Sequence, residues 1–274
     1  MVADPSRLSA TLVALGWSAA WERSFVSFLT SESIAGEAVE PGRVLAGARD
    51  QLRVGTMHGE EEALVPGRLL YRAESPAELP CTGDWLVLRR LGGIPATAAA
   101  GGRVVVPPQP LLVEAVLPRR SAFVRRAAGR RSEPQALAAN VDLALLVAAL
   151  DGDWNPRRLE RWLALAREAG VPPVVVLTKA DLGGDPAPVV AAAAAIATPA
   201  PVHAVDALGG AGVDALQRYL DPGATLVLLG SSGVGKSTLA NRLAGRESHI
   251  VERVGNRLRI PAVCARRHPA VDPD

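Results

Sequence analysis

The segment "VVVLTKADL" (residues 174–182) is a wholly apolar run that stops at Thr178-Lys179-Ala180-Asp181. A short apolar run bounded by polar residues reads as a strand buried on both faces, the form strands take in a parallel sheet. Its polar residues then fall at the carboxyl end of the strand, where open α/β sheets bind ligands. A second such strand, "ATLVLLG" (residues 224–230), runs directly into "GSSGVGKST" (residues 230–238). The polar ends of these two strands decide the fold.

Strands and helices alternate around them. "VDLALLVAAL" (residues 141–150) is another nearly continuous apolar run. Asn155 and Pro156 then supply an N-cap and a first-turn proline for a helix. Its apolar side carries Leu159, Trp162, Leu163 and Ala166, and Gly170 closes it. The Ala-rich "APVVAAAAAIA" (187–197) reads as a helix, "PVHAV" (201–205) as a strand, and "GVDALQRYL" (212–220) and "KSTLANRLAG" (236–245) as helices. Repeated β-α-β units predict a parallel sheet with helices on both faces.

The two strand ends carry chemistry. Gly230-Ser231-Ser232-Gly233-Val234-Gly235-Lys236-Ser237, followed by Thr238, fits GxxxxGK[ST] in full. Its glycines let backbone N–H groups wrap a phosphate, and the following helix adds its dipole. Lys236 reaches the β- and γ-phosphates and the Ser237 hydroxyl ligates Mg²⁺, so these two are the catalytic candidates and Ser237 the metal ligand. At the other strand end the Asp181 carboxylate can accept both the N1–H and the exocyclic amino group of guanine, a pair adenine does not present. The stem of Lys179 packs on the base, with Thr178 and Ala180 completing the loop. The turn "VDALGG" brings the Ala207 N–H toward the guanine carbonyl. GTP and GDP are therefore the expected ligands, with a plain surface turn the alternative for residues 178–181. Of 30 basic residues only Lys179 and Lys236 are lysines. Both stand where a compact charge on a thin stem serves better than a planar guanidinium.

The amino-terminal half reads differently. Residues 1–38 are expected to form a helical arm with Leu12, Leu15, Trp17, Trp21, Phe25 and Phe28 on its apolar side. Five short strands follow: "GRVLA", "QLRVGTM", "ALVPGRLLY", "DWLVLRR" and "LLVEAVL". Five strands in a segment of this size predict a small closed barrel of the OB type, with an SH3-like barrel the alternative. "GGIPATAAAGGRVVVPPQP" reads as a long flexible loop. "PRRSAFVRRAAGRR" then gathers Arg119, Arg120, Arg125, Arg126, Arg130 and Arg131 around Phe123, with no acid. It reads either as an RNA-backbone patch with an aromatic for stacking, or as a solvated connector.

Composition sets outer bounds. At 274 residues with 49% hydrophobic and 21% charged residues, the chain has room for two domains. No apolar run reaches membrane-spanning length and no leader precedes the arm, which predicts a soluble cytoplasmic protein with no membrane contact. Two cysteines, Cys81 and Cys264, make no disulfide framework.

The order of these motifs, from "LGW", "PGRV", "GDW", "LPRRS" and "NVD" through "LTKADL" to "GSSGVGKSTLANRL", resembles the ribosome small-subunit-dependent GTPase A family. The resemblance implies an amino-terminal OB-fold and a circularly permuted GTPase domain of α/β class. It implies domains at 1–38, 39–131 and 132–274. It implies a monomer that hydrolyses GTP to GDP and phosphate and acts on the small ribosomal subunit and its rRNA late in maturation. The family also has a threonine switch, an Asp-x-Pro-Gly loop and a Cys/His zinc cluster after the phosphate loop. Here that region reads "LANRLAGRESHIVERVGNRLRIPAVCARRHPAVDPD". Cys264 and His268 are at best two ligands, so the zinc ligands are absent and the ending reads as truncated or frame-altered. Without a strand leading to that loop, "TLVLLG" is expected to have an apolar edge, covered in part by a hairpin of "HIVERV" and "RLRIPAV". Two alternatives stand beside the GTPase: a guanine-nucleotide-binding RNA module that does not hydrolyse, and a P-loop ATPase or kinase.

Overall fold

The structure is a computed structural model that describes residues 10–31, 39–48, 50–91, 97–98, 104–105, 110–126, 133–152, 154–182, 184–221, 223–244, 250–251 and 262–264. Helices α1 (Ala10–Ala14) and α2 (Ala19–Ser31) form the arm. Strands β1 (Val39–Ala48), β2 (Gln51–Thr56), β3 (Gly59–Leu64), β4 (Trp85–Arg90) and β7 (Leu111–Val116) close into a barrel in the order β1-β2-β3-β7-β4. A short helix α3 (Gly67–Arg72) lies between β3 and β4. The barrel is of the OB type, with only β3 and β7 parallel. The small pair β5 (Thr97–Ala98) and β6 (Val104–Val105) falls within the long Gly/Ala/Pro-rich loop, whose other residues mostly lie outside the described ones.

Val44, Leu52, Val54, Ala63, Leu86, Leu88, Leu111 and Val113 form one of the barrel's apolar clusters. The other face of β4 meets the arm: Leu12, Leu15, Trp17, Trp21 and Phe25 pack with Trp85, Val87 and Leu117. Trp17 and Trp85 meet edge to face at 4.6 Å between centroids, a favoured aromatic geometry.

Two readings of this half are corrected. "ALVPGRLLY" is not one strand. Pro66 breaks it, and residues 67–72 turn into α3, with the Leu69 N–H donating to Pro66 O at 2.9 Å. "SAFVRR" is not an open connector. It forms β8 (Ala122–Arg126), paired antiparallel with β9 (Pro134–Ala139). Phe123 is fully buried there against Leu137, Ala138 and the sheet core, so it is not presented to a base.

The second half is the expected parallel sheet. Strands β10 (Leu143–Ala149), β11 (Pro173–Thr178), β12 (Val202–Ala204) and β13 (Thr225–Gly230) lie in the order β12-β11-β10-β13, all parallel. Helices α4 (Pro156–Glu168) and α5 (Ala187–Ala197) cover one face. The 3₁₀ helix η1 (Val213–Tyr219) and α6 (Lys236–Ala244) cover the other. On the far side of β13, β15 (Ala262–Cys264) pairs antiparallel and is itself paired with β14 (Ile250–Val251). These two short strands fall at the expected hairpin of residues 249–254 and 257–263, most of which, with its turn, lies outside the described residues. Among the described residues no helix is long and apolar enough to cross a membrane.

Arm, barrel and sheet meet at one buried guanidinium. Arg43 of β1, 3% exposed, donates to Leu15 O in the arm, to Gly83 O (3.3 Å) before β4, and to Asn140 O (3.3 Å) and Thr225 Oγ1 (2.6 Å) at the foot of the sheet. Gly83 at φ +90° makes the approach possible, since a Cβ there would lie 2.1 Å from Ala139 O. Arg43→Ala should lower the unfolding free energy by roughly 3 kcal/mol, because removing a buried charged donor strands several acceptors at once. Urea unfolding followed by tryptophan fluorescence reads this out; a loss below about 0.5 kcal/mol, the scale of an ordinary surface substitution, would show that the joint does not depend on Arg43.

Candidate nucleotide site

The two motif-bearing strand ends come together at the carboxyl edge of the sheet. β13 is short and wholly buried up to Gly230, which lies against β10 so closely that a Cβ would be 2.4 Å from Val147 O. The loop then turns through Gly233 (φ +83°) and Gly235 (φ +89°), a left-handed conformation that glycine adopts without penalty. Among the described residues no protein acceptor takes the N–H groups of Gly233, Val234 or Gly235. Unpaired N–H groups at the start of a helix are a ready cradle for an anion. Lys236, 7% exposed, donates from Nζ to Gly230 O (2.9 Å) and to Ser231 O, so its charge lies over the loop. Ser237 and Thr238 open the first turn of α6.

Thr178 ends β11 and is fully buried. Its Oγ1 lies 2.5 Å from Val234 O and 3.2 Å from Ala148 O. The first residue of the Thr-Lys-Ala-Asp loop therefore clamps the phosphate loop and does not face a ligand. Lys179 follows at φ +59° and pairs through Nζ with Asp151 at the end of β10. The Ala180 N–H donates to Val205 O at 3.2 Å, holding this loop to the next strand end. Asp181 is exposed, as are Leu182 and Leu208 at 68% and 78%. In the "VDALGG" turn the Asp206 carboxylate accepts from the N–H groups of Leu208 (2.9 Å) and Gly209 (2.8 Å), while among the described residues no acceptor takes the Ala207 N–H. Arg242 of α6 donates to Ala207 O (3.2 Å) and Leu208 O. The base-side loops are thus tied to the phosphate-loop helix from two directions.

Sequence reasoning missed Arg158 and Arg242. Arg158 stands in the first turn of α4, where the Asn155 cap accepts from its N–H at 3.2 Å, and its guanidinium donates to Ser231 Oγ at 2.5 Å. The Asn155 cap was the available signal, because it fixes which side of the first turn Arg158 occupies.

The arginines of the basic stretch separate. Arg119 makes a two-pronged pair with the fully buried Asp84 at 2.7 Å for each bond and donates to Ala77 O and to Leu79 O (2.8 Å), in the segment that leads into β4. Burial pulls its pKa down, but the Asp84 carboxylate outweighs this and leaves it raised. The same burial, with Asp84 beside it, pushes the Cys81 thiol well up. Arg120 lies over the Trp21 ring at 4.8 Å and reaches Asp142 at 3.7 Å, while its guanidinium stays half-exposed. Arg125 and Arg126 fall in β8; Arg130 and Arg131 lie outside the described residues. So does His268, and among the described residues no group of three or more His, Cys, Asp or Glu is placed to hold a metal.

A parallel sheet with a glycine-rich phosphate loop after β13 and a Thr-Lys-x-Asp loop after β11, behind a five-stranded barrel, is a circularly permuted P-loop GTPase fold. The chain belongs to the RsgA GTPase family, whose sequence profile matches residues 116–260. It is 43% identical to the small ribosomal subunit biogenesis GTPase RsgA of Opitutus terrae, over 86% of this chain and 61% of that one. It is 40% identical to that of Streptomyces avermitilis, over 88% and 59%. The chain thus spans about three fifths of the length of these curated relatives. Among solved structures it is similar in fold to YjeQ from Thermotoga maritima, with a TM-score of 0.54 at 20% identity over 81% of this chain and 73% of that one. It is also similar to YloQ, a circularly permuted GTPase, at 0.50 and 17% over 79% and 69%.

Thr178→Val keeps the shape and removes the hydroxyl that joins the two loops. It should lower the unfolding free energy by about 1 to 2 kcal/mol by leaving buried carbonyls without their partner. A denaturant midpoint unchanged from wild type would mean the clamp contributes nothing.

Proposed function

We propose that this chain is the nucleotide-binding part of an enzyme that hydrolyses GTP to GDP and phosphate while bound to the small ribosomal subunit during late maturation. The observation that carries the reading is the Thr178–Val234 contact, which seats the base-reading and phosphate-binding loops against each other. The names of the relatives, small ribosomal subunit biogenesis GTPases, support the same activity and the same partner.

In this reading Gly230, Ser231, Ser232, Gly233, Val234, Gly235 and Thr238 cradle the phosphates, and Lys236 leaves its carbonyl partners for the β- and γ-phosphates. Ser237 Oγ would hold Mg²⁺, which would supply positive charge against those phosphates. A hydroxyl oxygen in the first turn of α6, next to Lys236 and the phosphate loop, fits that role. Asp181 takes the two guanine donors, Lys179 covers the base, Ala180 closes the loop, and the Ala207 N–H meets the guanine carbonyl. Among the described residues no group is placed to hold zinc: Cys81 is half-buried ahead of β4 with Asp84 beside it, and Cys264 falls in β15. The arm (1–38), barrel with basic stretch (39–131) and GTPase part (132–274) act together as a cytoplasmic monomer. Arg120, Arg125, Arg126, Arg130 and Arg131 bind the rRNA backbone, and Arg119 holds its own end of the stretch on Asp84.

One observation favours a second reading. The edge of β13 is taken by the antiparallel strand β15, an arrangement suited to a guanine-nucleotide-binding RNA module that does not hydrolyse. Single-turnover hydrolysis with and without purified small subunits separates the two. The GTPase reading expects the rate to rise with the subunit, and a rate unmoved by it would leave only the second.

Asp181→Asn replaces one of two acceptors by a donor. GDP affinity should fall roughly ten- to a hundredfold, the worth of one charge-assisted bidentate contact. Xanthosine diphosphate, which offers an acceptor at that position, should gain. Competition binding that left GDP unaffected would refute the base-reading role. Changing Arg125 and Arg126 together to Glu should lower the salt dependence of ribosomal association by roughly one counterion per lost phosphate contact. An identical salt slope would return the stretch to a connector.

A further inference from the structure

Arg158 is a cation at the phosphate loop that the glycine-rich motif does not contain. α4 belongs to one face of the sheet, with Leu159, Trp162, Leu163 and Ala166 buried against it. The helix that carries Lys236 packs on the other face. Asn155 fixes the first turn of α4 by accepting from the Arg158 N–H. That places the Arg158 guanidinium on Ser231 Oγ at 2.5 Å. Lys236 meets the same residue from the opposite side through Ser231 O. Two cations from two layers of the fold therefore converge on the second residue of the loop.

We propose that Arg158 is a positioning residue of the nucleotide site, which holds the entry half of the phosphate loop through Ser231 and makes the site favour a nucleoside triphosphate over the diphosphate. The inference rests on the guanine-nucleotide reading above. Its physical basis is that the two nucleotides differ by one phosphoryl group and its negative charge. The loop N–H groups near Val234 meet phosphates that both share, whereas Lys236, which reaches the β- and γ-phosphates, rests on the same Ser231 that Arg158 holds. Arg158 is a permanent positive charge fixed at the entry side of the loop, ahead of the residues that precede α6, and it is only half-buried. A charge in that place attracts the additional phosphate through a medium less screening than bulk water. Guanidinium also keeps its charge at every working pH, and its planar fork holds a hydroxyl in fixed orientation.

The test measures affinities of the full chain for a non-hydrolysable GTP analogue and for GDP, in wild type, Arg158→Ala, Arg158→Lys and Ser231→Ala. Arg158→Ala should weaken the triphosphate analogue by about tenfold and GDP by less than about twofold, a charge effect of the size expected at a partly screened site. Arg158→Lys should retain most of the preference, because the charge remains. Ser231→Ala should reduce it in the same direction, because the tether is lost. Raising ionic strength should narrow the difference between wild type and Arg158→Ala. Equal losses for both nucleotides in Arg158→Ala, or no loss for either, would overturn the proposal. Arg158→Gln serves the same comparison if the alanine variant does not fold. Failure of the underlying reading looks different: wild type would then bind neither nucleotide, and Lys236→Ala would change nothing.

Discussion

A buried guanidinium that must be satisfied holds this molecule together. A charge taken out of water is destabilising by several kcal/mol unless hydrogen bonds replace its hydration. Arg43 finds acceptors in three separate parts of the chain: Leu15 in the arm, Gly83 in the barrel, and Asn140 with Thr225 in the sheet. It also lies over the Trp85 ring at 5.1 Å. The three parts can satisfy it only when docked in one arrangement. The glycines around it follow from that. A Cβ at Gly16 would lie 2.5 Å from Gly223 O, and one at Gly83 would strike Ala139 O. Asn140 completes the joint at φ +54°, donating to Gly83 O (3.1 Å) and accepting from the Arg120 N–H (2.9 Å).

What was legible in the sequence followed burial. β10, β11 and β13 are buried on both faces, so their apolar runs could be read directly, and the Ala-rich helix runs over the residues expected of it. What was not legible depends on partners distant in sequence. β3 carries Glu60, Glu61 and Glu62, a poor strand signal. It persists because Glu61 accepts from Thr56 and Arg90, and the Arg90 guanidinium holds the Glu61 carboxyl below the usual range. Likewise, six arginines around one phenylalanine look like a surface. In the fold Phe123 is core and Arg119 is committed to Asp84. Charge counts do not reveal which guanidinium has a buried carboxylate waiting for it.

The site divides the same way. Its two loops could be found because each is a short motif whose spacing states its chemistry. The residues that hold the loops in mutual position could not, since Arg158 and Arg242 come from helices on opposite faces of the sheet. Thr178 is the instructive case. Its sequence position makes it a member of the base-binding loop. The structure gives it a short polar contact to the backbone of the phosphate loop instead.

The permuted order explains how barrel and site come to share one strand. The chain makes β10, β11 and β12 first, then crosses the sheet through η1, burying Val213, Leu216 and Leu220, to lay β13 beside β10. The phosphate loop therefore follows a strand whose foot begins just after that crossing, where Gly223 meets the arm and Thr225 meets Arg43. Asp142 fixes this foot to β10 as well, its carboxylate accepting from the Thr225 N–H at 2.8 Å. β13 is six residues long, about 20 Å at the rise of a strand, and it is buried throughout up to Gly230. Packed interiors transmit displacement and do not absorb it. The barrel is thereby joined to the phosphate loop by a short buried strand whose foot is held by Arg43 and Asp142.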